Sequence, residues 1–502
     1  MNESNGTGTG YHWAHVHVRN KISPHFLDFH HYPPAFKPYG GGVSLDLGRP
    51  GESPAVHKSE TDPFSLEGLA EVLFYAYGVI SARQNGPVTF YRRTVPSAGG
   101  LYPCNLYVAL DAQNRSDRQP QTDTTPETGL YYYDPVQSRL VQLRSPEHSG
   151  PDHGSGCRPE RAVFFITAAF YNSTWKYRGR AYRYMLLDGG HLVRNLELVL
   201  GARGIDAHVS YAFPGDETAG LLAVDPSKEA VLACVHAGWN KSVPEIVTHL
   251  TDVTRPAETA LPADPVHDRY LEEYAGLAAV HRKSLTGPVG DMDITVTETP
   301  PVASIRPDLE ALSYPDRNRL DRLIVRRRSR RNFTSARLAR NVYMGLFKWL
   351  GAGDEKAKPL HRFLRLGMVC QNLDGMADGF YLFNRTIDRI SLVMPGTLAP
   401  GLARVCLDQA WIGRAAISFL CFACPDALET DLGAAGYRSM MLDAGRLGHQ
   451  IYLGAEATGL GCCGVGAIYD FEAQSLLGLS SGTALVYALS VGPEAQNLNT
   501  TI

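Results

Sequence analysis

Laid on itself at an offset near 255 residues, the 502-residue chain matches its own second half. Tyr182-Arg-Tyr-Met-Leu-Leu-Asp-Gly-Gly-His-Leu192 returns as Tyr437-Arg-Ser-Met-Met-Leu-Asp-Ala-Gly-Arg-Leu447, with identities at Tyr, Arg, Met, Leu, Asp, Gly and Leu. Leu198 and Gly204 pair with Leu453 and Gly459, Leu221-Leu222 with Leu476-Leu477, and Val235-His-Ala-Gly238 with Leu489-Ser-Val-Gly492. Gly129-Leu-Tyr-Tyr-Tyr133 pairs with Gly379-Phe-Tyr-Leu-Phe383 at a slightly shorter offset. Ordered matches over most of each half mean a tandem duplication. A chain of this length also exceeds what one core can hold.

Each half reads as α+β. In the first, Ser65 caps a helix through Tyr77 that places Leu66, Leu69, Val72, Leu73 and Ala76 on one face and ends at Gly78. Leu106–Leu110 and Leu130–Tyr133 are strand-like and flank a polar hairpin loop over Asp111–Thr128. Ala162–Phe170 predicts a buried strand, Arg183–Arg203 a long helix and Ala230–His236 a closing strand. The second half repeats the order, with a helix over Ser335–Leu350, strands over Phe380–Phe383 and Ala415–Phe422, a helix over Arg438–Ala457 and a strand over Ala484–Ser490. The expected organisation is an N-terminal arm over 1–60, a first half over 61–252, a proline-rich linker with extra helices over 253–316, and a second half over 317–502.

Composition excludes several classes. With 44% hydrophobic and 20% charged residues the chain is globular, and a net charge of -3 argues against a nucleic-acid binder, which needs a broad basic surface. The start, Met-Asn-Glu-Ser-Asn-Gly, carries no signal-peptide pattern, and the longest apolar run, Ala415–Cys424, is about half a membrane span. A cytoplasmic location without membrane contact is expected. Nine cysteines make no disulfide framework at this length. Cys421 and Cys424 form a C-x-x-C inside an apolar strand pattern with no second pair to complete a zinc set, and no metal is expected. The N-terminal histidines 12, 15, 17, 25, 30 and 31 match no metal spacing and suggest a surface arm.

Three segments carry candidate chemistry. Arg93-Thr-Val-Pro-Ser-Ala-Gly-Gly-Leu-Tyr-Pro103 is a small-residue loop whose two glycines admit close approach of a planar ligand to the backbone. Arg326-Arg-Arg-Ser-Arg-Arg331 packs five guanidinium groups and a hydroxyl into six residues. That set suits a phosphate dianion held by charge-assisted, often bidentate hydrogen bonds. A basic patch for nucleic acid is the other reading of the run. Phe333-Thr-Ser335, leading toward an amphipathic helix, favours phosphate near a helix start. Gly459-Leu-Gly-Cys-Cys-Gly-Val-Gly-Ala467 is the third segment.

Taken together, the segments resemble a tandem protein of the nitroreductase superfamily, of the SagB/McbC type, the FMN-dependent azoline dehydrogenases. Pro96–Pro103 is close to that subfamily's own loop, and Tyr177-Arg-Gly-Arg-Ala-Tyr-Arg183 with His191 continues its pattern. Arg327-Arg-Ser-x-Arg331 matches the phosphate clamp, and Gly459–Ala467 matches the loop whose backbone N–H groups meet the isoalloxazine edge. The resemblance implies a duplicated nitroreductase fold forming an intrachain pseudo-dimer. It implies FMN held by Arg327, Arg328, Ser329 and Arg331, by Pro96, Ser97, Ala98 and Gly99, and by Gly464, Val465 and Gly466. Lys37-Pro-Tyr39 echoes a further family feature to which no chemistry is assigned.

The halves have decayed unequally. The first keeps Pro96–Pro103 but no arginine clamp, and its Gly204-Ile-Asp-Ala-His-Val-Ser-Tyr211 has lost the ring-loop glycines. The second keeps clamp and ring loop, while Lys358-Pro-Leu-His-Arg-Phe-Leu364 replaces the Pro-Ser loop. One complete set per chain, and one FMN, is the expectation. Arg183 and Arg438 persist in both halves and are expected to be structural.

Lys176-Tyr177 resembles the pair that the azoline dehydrogenases use for proton removal. A lysine kept neutral by desolvation and neighbouring arginines can act as base, and the tyrosine can orient or relay the proton. A solvated lysine and a packing tyrosine at a strand–helix junction is the plain alternative. The resemblance implies oxidation of thiazoline or oxazoline rings on a peptide or small molecule, with oxygen as acceptor and a cyclodehydratase as partner. An NAD(P)H-dependent nitro- or quinone reductase and a flavinless scaffold in a peptide-modifying complex are the rival readings.

Overall fold

The computed structural model describes residues 7–22, 25–39, 43–50, 62–110, 126–146, 162–238, 253–254, 271–285, 303–305, 315–350, 364–384 and 389–495. The chain forms two compact units. The first is Leu27–Leu285, and the second joins Thr286–Ile502 to the N-terminal Met1–Phe26.

At the centre of the first unit runs the strand Ala162–Ala169, whose sequence AVFFITAA is apolar at nearly every position because both sheet faces are covered. It pairs antiparallel with Cys104–Leu110 on one side and Glu229–Ala237 on the other. Across the sheet the order is Ser44–Asp46, Arg139–Pro146, Gly129–Asp134, Cys104–Leu110, Ala162–Ala169, Glu229–Ala237 and Ala207–Ser210, with Val253–Thr254 also pairing Arg139–Pro146. The predicted hairpin across the polar stretch is present, since Leu110 pairs with Gly129. Residues 111–125 of its loop lie outside the described residues. The helix Ala181–Gly201 is buried along all but its last residue, as a helix enclosed on every side must be. Leu66–Tyr77 packs against it. There the expected cap is made, Ser65 Oγ accepting the Gly68 N–H at 3.1 Å.

The second unit repeats the seven-strand path of this sheet, while Val253–Thr254 and the separate hairpin Val79–Asn85 with Val88–Arg93 have no counterpart there among the described residues. Its order is Ala303–Ile305, Arg389–Pro395, Gly379–Asn384, Arg365–Cys370, Ile417–Ala423, Ala484–Gly492 and Gly461–Val465, all antiparallel. The long helix Ala435–Ala457 takes the place of Ala181–Gly201. Arg183 and Arg438, at equivalent positions of the two helices, are each 1% exposed.

Three local expectations are corrected. The helix predicted over Ser335–Leu350 runs only over Arg340–Trp349. The residues before it are extended because Leu338 exchanges backbone bonds with Asn372 and Asp374. The strand predicted through Phe170 ends at Ala169, and a helix Phe170–Tyr177 begins at once as Phe170 N–H donates to the Lys228 carbonyl. The surface position expected for the N-terminal histidines fails at His12, which is fully buried in the helix Gly8–Ala14, 3.5 Å from Asp470. That helix packs on Pro425–Leu432 and Ala435–Ala457. Among the described residues no helix is long and apolar enough to cross a membrane.

Candidate functional site

In the first unit the Pro96–Pro103 loop is a tight turn, with Gly99 at φ 65° and Gly100 at φ 68°. Its fastener is Asp188, on the long helix. The Ser97 hydroxyl donates to Asp188 Oδ2 at 2.6 Å, and the Ala98 N–H donates to Oδ1 at 3.0 Å. Ser97 Oγ accepts the Tyr102 N–H at 2.9 Å, so this hydroxyl is engaged within the loop. Burial pushes the Asp188 carboxyl up to about 7, against the opposing pull of the Ser97 and Ala98 hydrogen bonds. Below the loop, the Arg93 guanidinium lies 4.3 Å from the Tyr77 ring centroid and 5.1 Å from that of Tyr102, and it donates to the Ala35 carbonyl.

Lys176 and Tyr177 form the last turn of Phe170–Tyr177, not a strand–helix junction. Side chains of this helix hold the preceding segment of chain: Trp175 Nε1 donates to the Asp28 carbonyl at 3.0 Å and Asn172 Nδ2 to that of Pro34 at 3.0 Å. The helix stops where Arg178 turns to φ 50°. The pair meets the predicted loop at Gly99. A methyl group on Gly99 would lie 2.7 Å from Tyr177 Oη and 3.1 Å from Lys176 Nζ, so these two side-chain ends take up the space beside a backbone whose φ of 65° favours glycine. Lys176 Nζ is 5.5 Å from the Tyr177 ring centroid, and the Tyr177 ring packs 4.3 Å from that of Tyr184. The structure thus brings Lys176, Tyr177, Ser97, Ala98 and Gly99 together.

In the second unit the arginine run follows the C-terminus of the helix Arg317–Arg326, with Arg327 as its cap. The expectation of phosphate at a helix start therefore fails. The helix Arg340–Trp349 begins well beyond the run, and a helix C-terminus disfavours an anion. The guanidinium groups differ in their partners. Arg326 pairs with Glu456 at 3.1 Å and Arg330 with Glu494 at 3.1 Å. Arg328 Nη1 donates to the carbonyls of Val325 and Arg327 at 2.6 and 2.7 Å. Arg327 is 4% exposed and lies over the Tyr452 ring, while Arg331 is exposed beside Trp411.

The glycine-rich segment is not a loop at its centre. Gly461–Val465 is the edge strand of the sheet, and the clamp adds to its free side. Ser329 forms a parallel bridge with Cys462, and the Arg330 N–H donates to the Cys462 carbonyl at 2.8 Å. Ser329 and Arg330 thereby lie beside Cys462, and Arg327, Ser329 and Gly464 each meet Tyr452, with Val465 and Gly466 next along the chain.

Sequence reasoning passed over Asp188 and Tyr452. Asp188 had a signal, because its identity with Asp443 survives in the repeat. Lys37 and Tyr39, left without chemistry, join a buried cluster: Lys37 Nζ is 2.9 Å from Glu229 Oε2 and 3.3 Å from Tyr107 Oη, and Tyr39 Oη is 3.2 Å from Tyr107 Oη. Burial alone would raise the Glu229 carboxyl, but the Lys37 ammonium and hydrogen bonds from Thr167 and Asn105 hold it below the usual range. The cluster is satisfied internally and fastens the N-terminal segment of the unit. Cys421 lies buried in Ile417–Ala423 as expected, its thiol pushed up to about 12 by burial. Among the described residues no group of His, Cys, Asp or Glu could hold a metal.

Two copies of one α+β topology, each an antiparallel sheet served by a long buried helix, define the nitroreductase fold in tandem. The model of the nitroreductase family matches residues 60–239 and 364–493, more than half of the chain, and the chain belongs to that family. A nitroreductase-like protein of Methanocaldococcus jannaschii is 26% identical over 170 residues, 33% of this chain and 77% of the relative. The microcin B17-processing protein McbC of Escherichia coli is 25% identical over 207 residues, 37% of this chain and 72% of McbC. The crystal structure of a nitroreductase-like protein of Anabaena variabilis has the same fold, with a TM-score of 0.74 at 21% identity over 97% of this chain and 100% of that one. The expected duplication and the likeness to McbC both hold.

Proposed function

We propose that this chain is an FMN-dependent dehydrogenase that oxidises thiazoline or oxazoline rings to azoles on a peptide, working with a cyclodehydratase that forms those rings. Family membership and the likeness to McbC, a protein named for processing microcin B17, support the class. The observation that carries the reading is the seat of Lys176 and Tyr177 against the Gly99 backbone. It unites the base expected for azoline oxidation with the loop expected to face the flavin.

The residues present fit FMN. Arg327, Arg328, Ser329 and Arg331 are cationic or hydroxylic donors of the kind a phosphate dianion takes, and beside Gly99 the Gly100 backbone is open, since a methyl group there would meet nothing within 4 Å. Pro96–Gly99 and Gly464–Gly466 are the segments that would border the ring. FMN, when bound, would supply the hydride acceptor and pass the electron pair to oxygen.

The chain's own task is the proton. Aromatising an azoline removes a hydride from one ring carbon and a proton from its neighbour, and Lys176 Nζ accepts that proton as its lone pair forms the new N–H bond. Tyr177 orients the lysine and the ring. General-base catalysis contributes roughly 10²–10⁴-fold. Lys176→Ala should therefore keep fold and FMN yet lose about that factor in turnover of an azoline peptide, measured by mass loss of two hydrogens per ring. Full turnover in the variant removes Lys176 as base. Rapid anaerobic bleaching of the flavin by NAD(P)H, with no azoline oxidised, replaces the reading with a nitro- or quinone reductase.

A further inference from the structure

We propose that Tyr452 is a positioning residue that sets the phosphate end of the flavin site, acting through Ser329 and Arg327. The inference rests on the FMN reading of those residues. Tyr452 lies on the long helix Ala435–Ala457, 2% exposed, and meets three members of the cofactor set at once. Its hydroxyl accepts the Gly464 N–H at 2.8 Å and is 3.0 Å from Ser329 Oγ. Its ring lies 5.5 Å from the Arg327 guanidinium carbon, in cation–π range.

The hydrogen-bond arithmetic gives the contact a direction. With the Gly464 N–H as donor, the single phenolic proton can go to Ser329 Oγ, and Ser329 then turns its own proton outward. A hydroxyl proton directed outward beside two arginines is what a phosphate oxygen accepts. Burial pushes the Tyr452 hydroxyl well above the ordinary tyrosine range, so it remains a donor at neutral pH. Cys463 Sγ is also within hydrogen-bonding reach of the phenol, as a weaker acceptor.

An independent observation lies in the repeat. Leu198 aligns with Leu453, so the first-half counterpart of Tyr452 is Glu197. There the carboxylate faces Arg194 at 3.6 Å, in the half that has neither clamp nor ring-loop glycines. The tyrosine occurs where the clamp occurs, and a different pairing occurs where it does not.

The test uses the full-length apo-protein and compares FMN with riboflavin, which lacks the phosphate. Tyr452→Phe keeps the ring under Arg327 and removes the hydroxyl. FMN affinity should fall about tenfold while riboflavin affinity stays within about twofold, so the preference for the phosphate falls. Ser329→Ala, at an exposed position that tolerates the change, should lower the same ratio, and the double variant should be no worse than either single one. Equal weakening of both flavins would place the effect in packing or at the Gly464 backbone and not at the phosphate, and would overturn the proposal. So would additive losses in the double variant, or an unchanged ratio for Ser329→Ala if Tyr452→Phe does not fold. A parent protein that binds neither flavin removes the FMN reading itself, and this inference with it.

Discussion

Asp188 shows how one buried carboxyl can order a loop and make its stability depend on pH. It receives the Ser97 hydroxyl and the Ala98 N–H, and its titratable neighbours Tyr77 and Cys104 are kept protonated by burial. Its pKa, raised to about 7, exceeds the value near 3.9 expected in the unfolded chain. The native state therefore holds this proton more tightly, and the stability it contributes is full below about pH 4 and lost as pH rises through about 7. Asp188→Asn keeps an acceptor for the Ala98 N–H but does not titrate. The stability of the parent relative to the variant should fall between about pH 4 and 7, at roughly 1.4 kcal/mol per pH unit. Denaturant melts of both proteins at several pH values measure this, and a difference independent of pH would refute the assignment. The loop itself was legible from its glycines. The fastener was less so, because a single Asp in an apolar helix has no local pattern, and only its survival in the repeat marks it.

Elements with a strong apolar period were legible, and those set by distant backbone partners were not. Leu66–Tyr77 and the long helices appear where the periodicity places them. The helix expected from Ser335 begins at Arg340 because Leu338 bonds to chain more than 30 residues away, which no local pattern encodes. The short helix Gly8–Ala14 hides in a histidine-rich stretch because the side chains that hold it, Asp470 beside His12 and Glu429 accepting the Thr9 N–H, lie far along the chain. Each unit is completed by a helix that precedes the opposite half. Gly8–Ala14 packs in the second unit, where His12 meets Tyr437 edge-on at 5.8 Å. Leu271–Ser284 packs in the first, where His281 meets Tyr182 at 5.9 Å. Tyr182 and Tyr437 are equivalent in the repeat, so the two helices serve one structural role. They should nevertheless answer oppositely to the same substitution. A methyl group on Gly8 would lie 2.3 Å from Tyr437 Cβ, whereas one on Gly276 meets nothing within 4 Å. Gly8→Ala should cost about 1–3 kcal/mol through overpacking. Gly276→Ala should stabilise by about 0.5–1 kcal/mol through helix propensity. Thermal melts of the two variants decide it, and a neutral Gly8→Ala would show that the contact yields.

For the whole molecule, duplication was the most legible property, since two halves in register need two like folds. Which half holds the arginine run and which the Pro-Ser loop can be read from the residues directly, since neither Arg326–Arg331 nor Pro96–Pro103 has a like segment in the other half. The clamp and the glycine-bearing edge strand occur in the second unit. Its counterpart in the first, Ala207–Ser210, contains no glycine, and among the described residues no arginine run bridges to it. The Pro96–Pro103 loop occurs in the first unit, and most of its second-half counterpart, residues 358–363, lies outside the described residues. On the proposed reading the chain holds one copy of each part, and one FMN should bind per chain. Absorbance of flavin released by denaturation, set against protein concentration, should give a ratio close to one. A ratio near two would mean that the decayed set still binds, and Glu197 and Ala207–Ser210 would need a ligand role they do not resemble. A ratio near zero after incubation with excess FMN would leave the fold in place and remove the flavin chemistry from it.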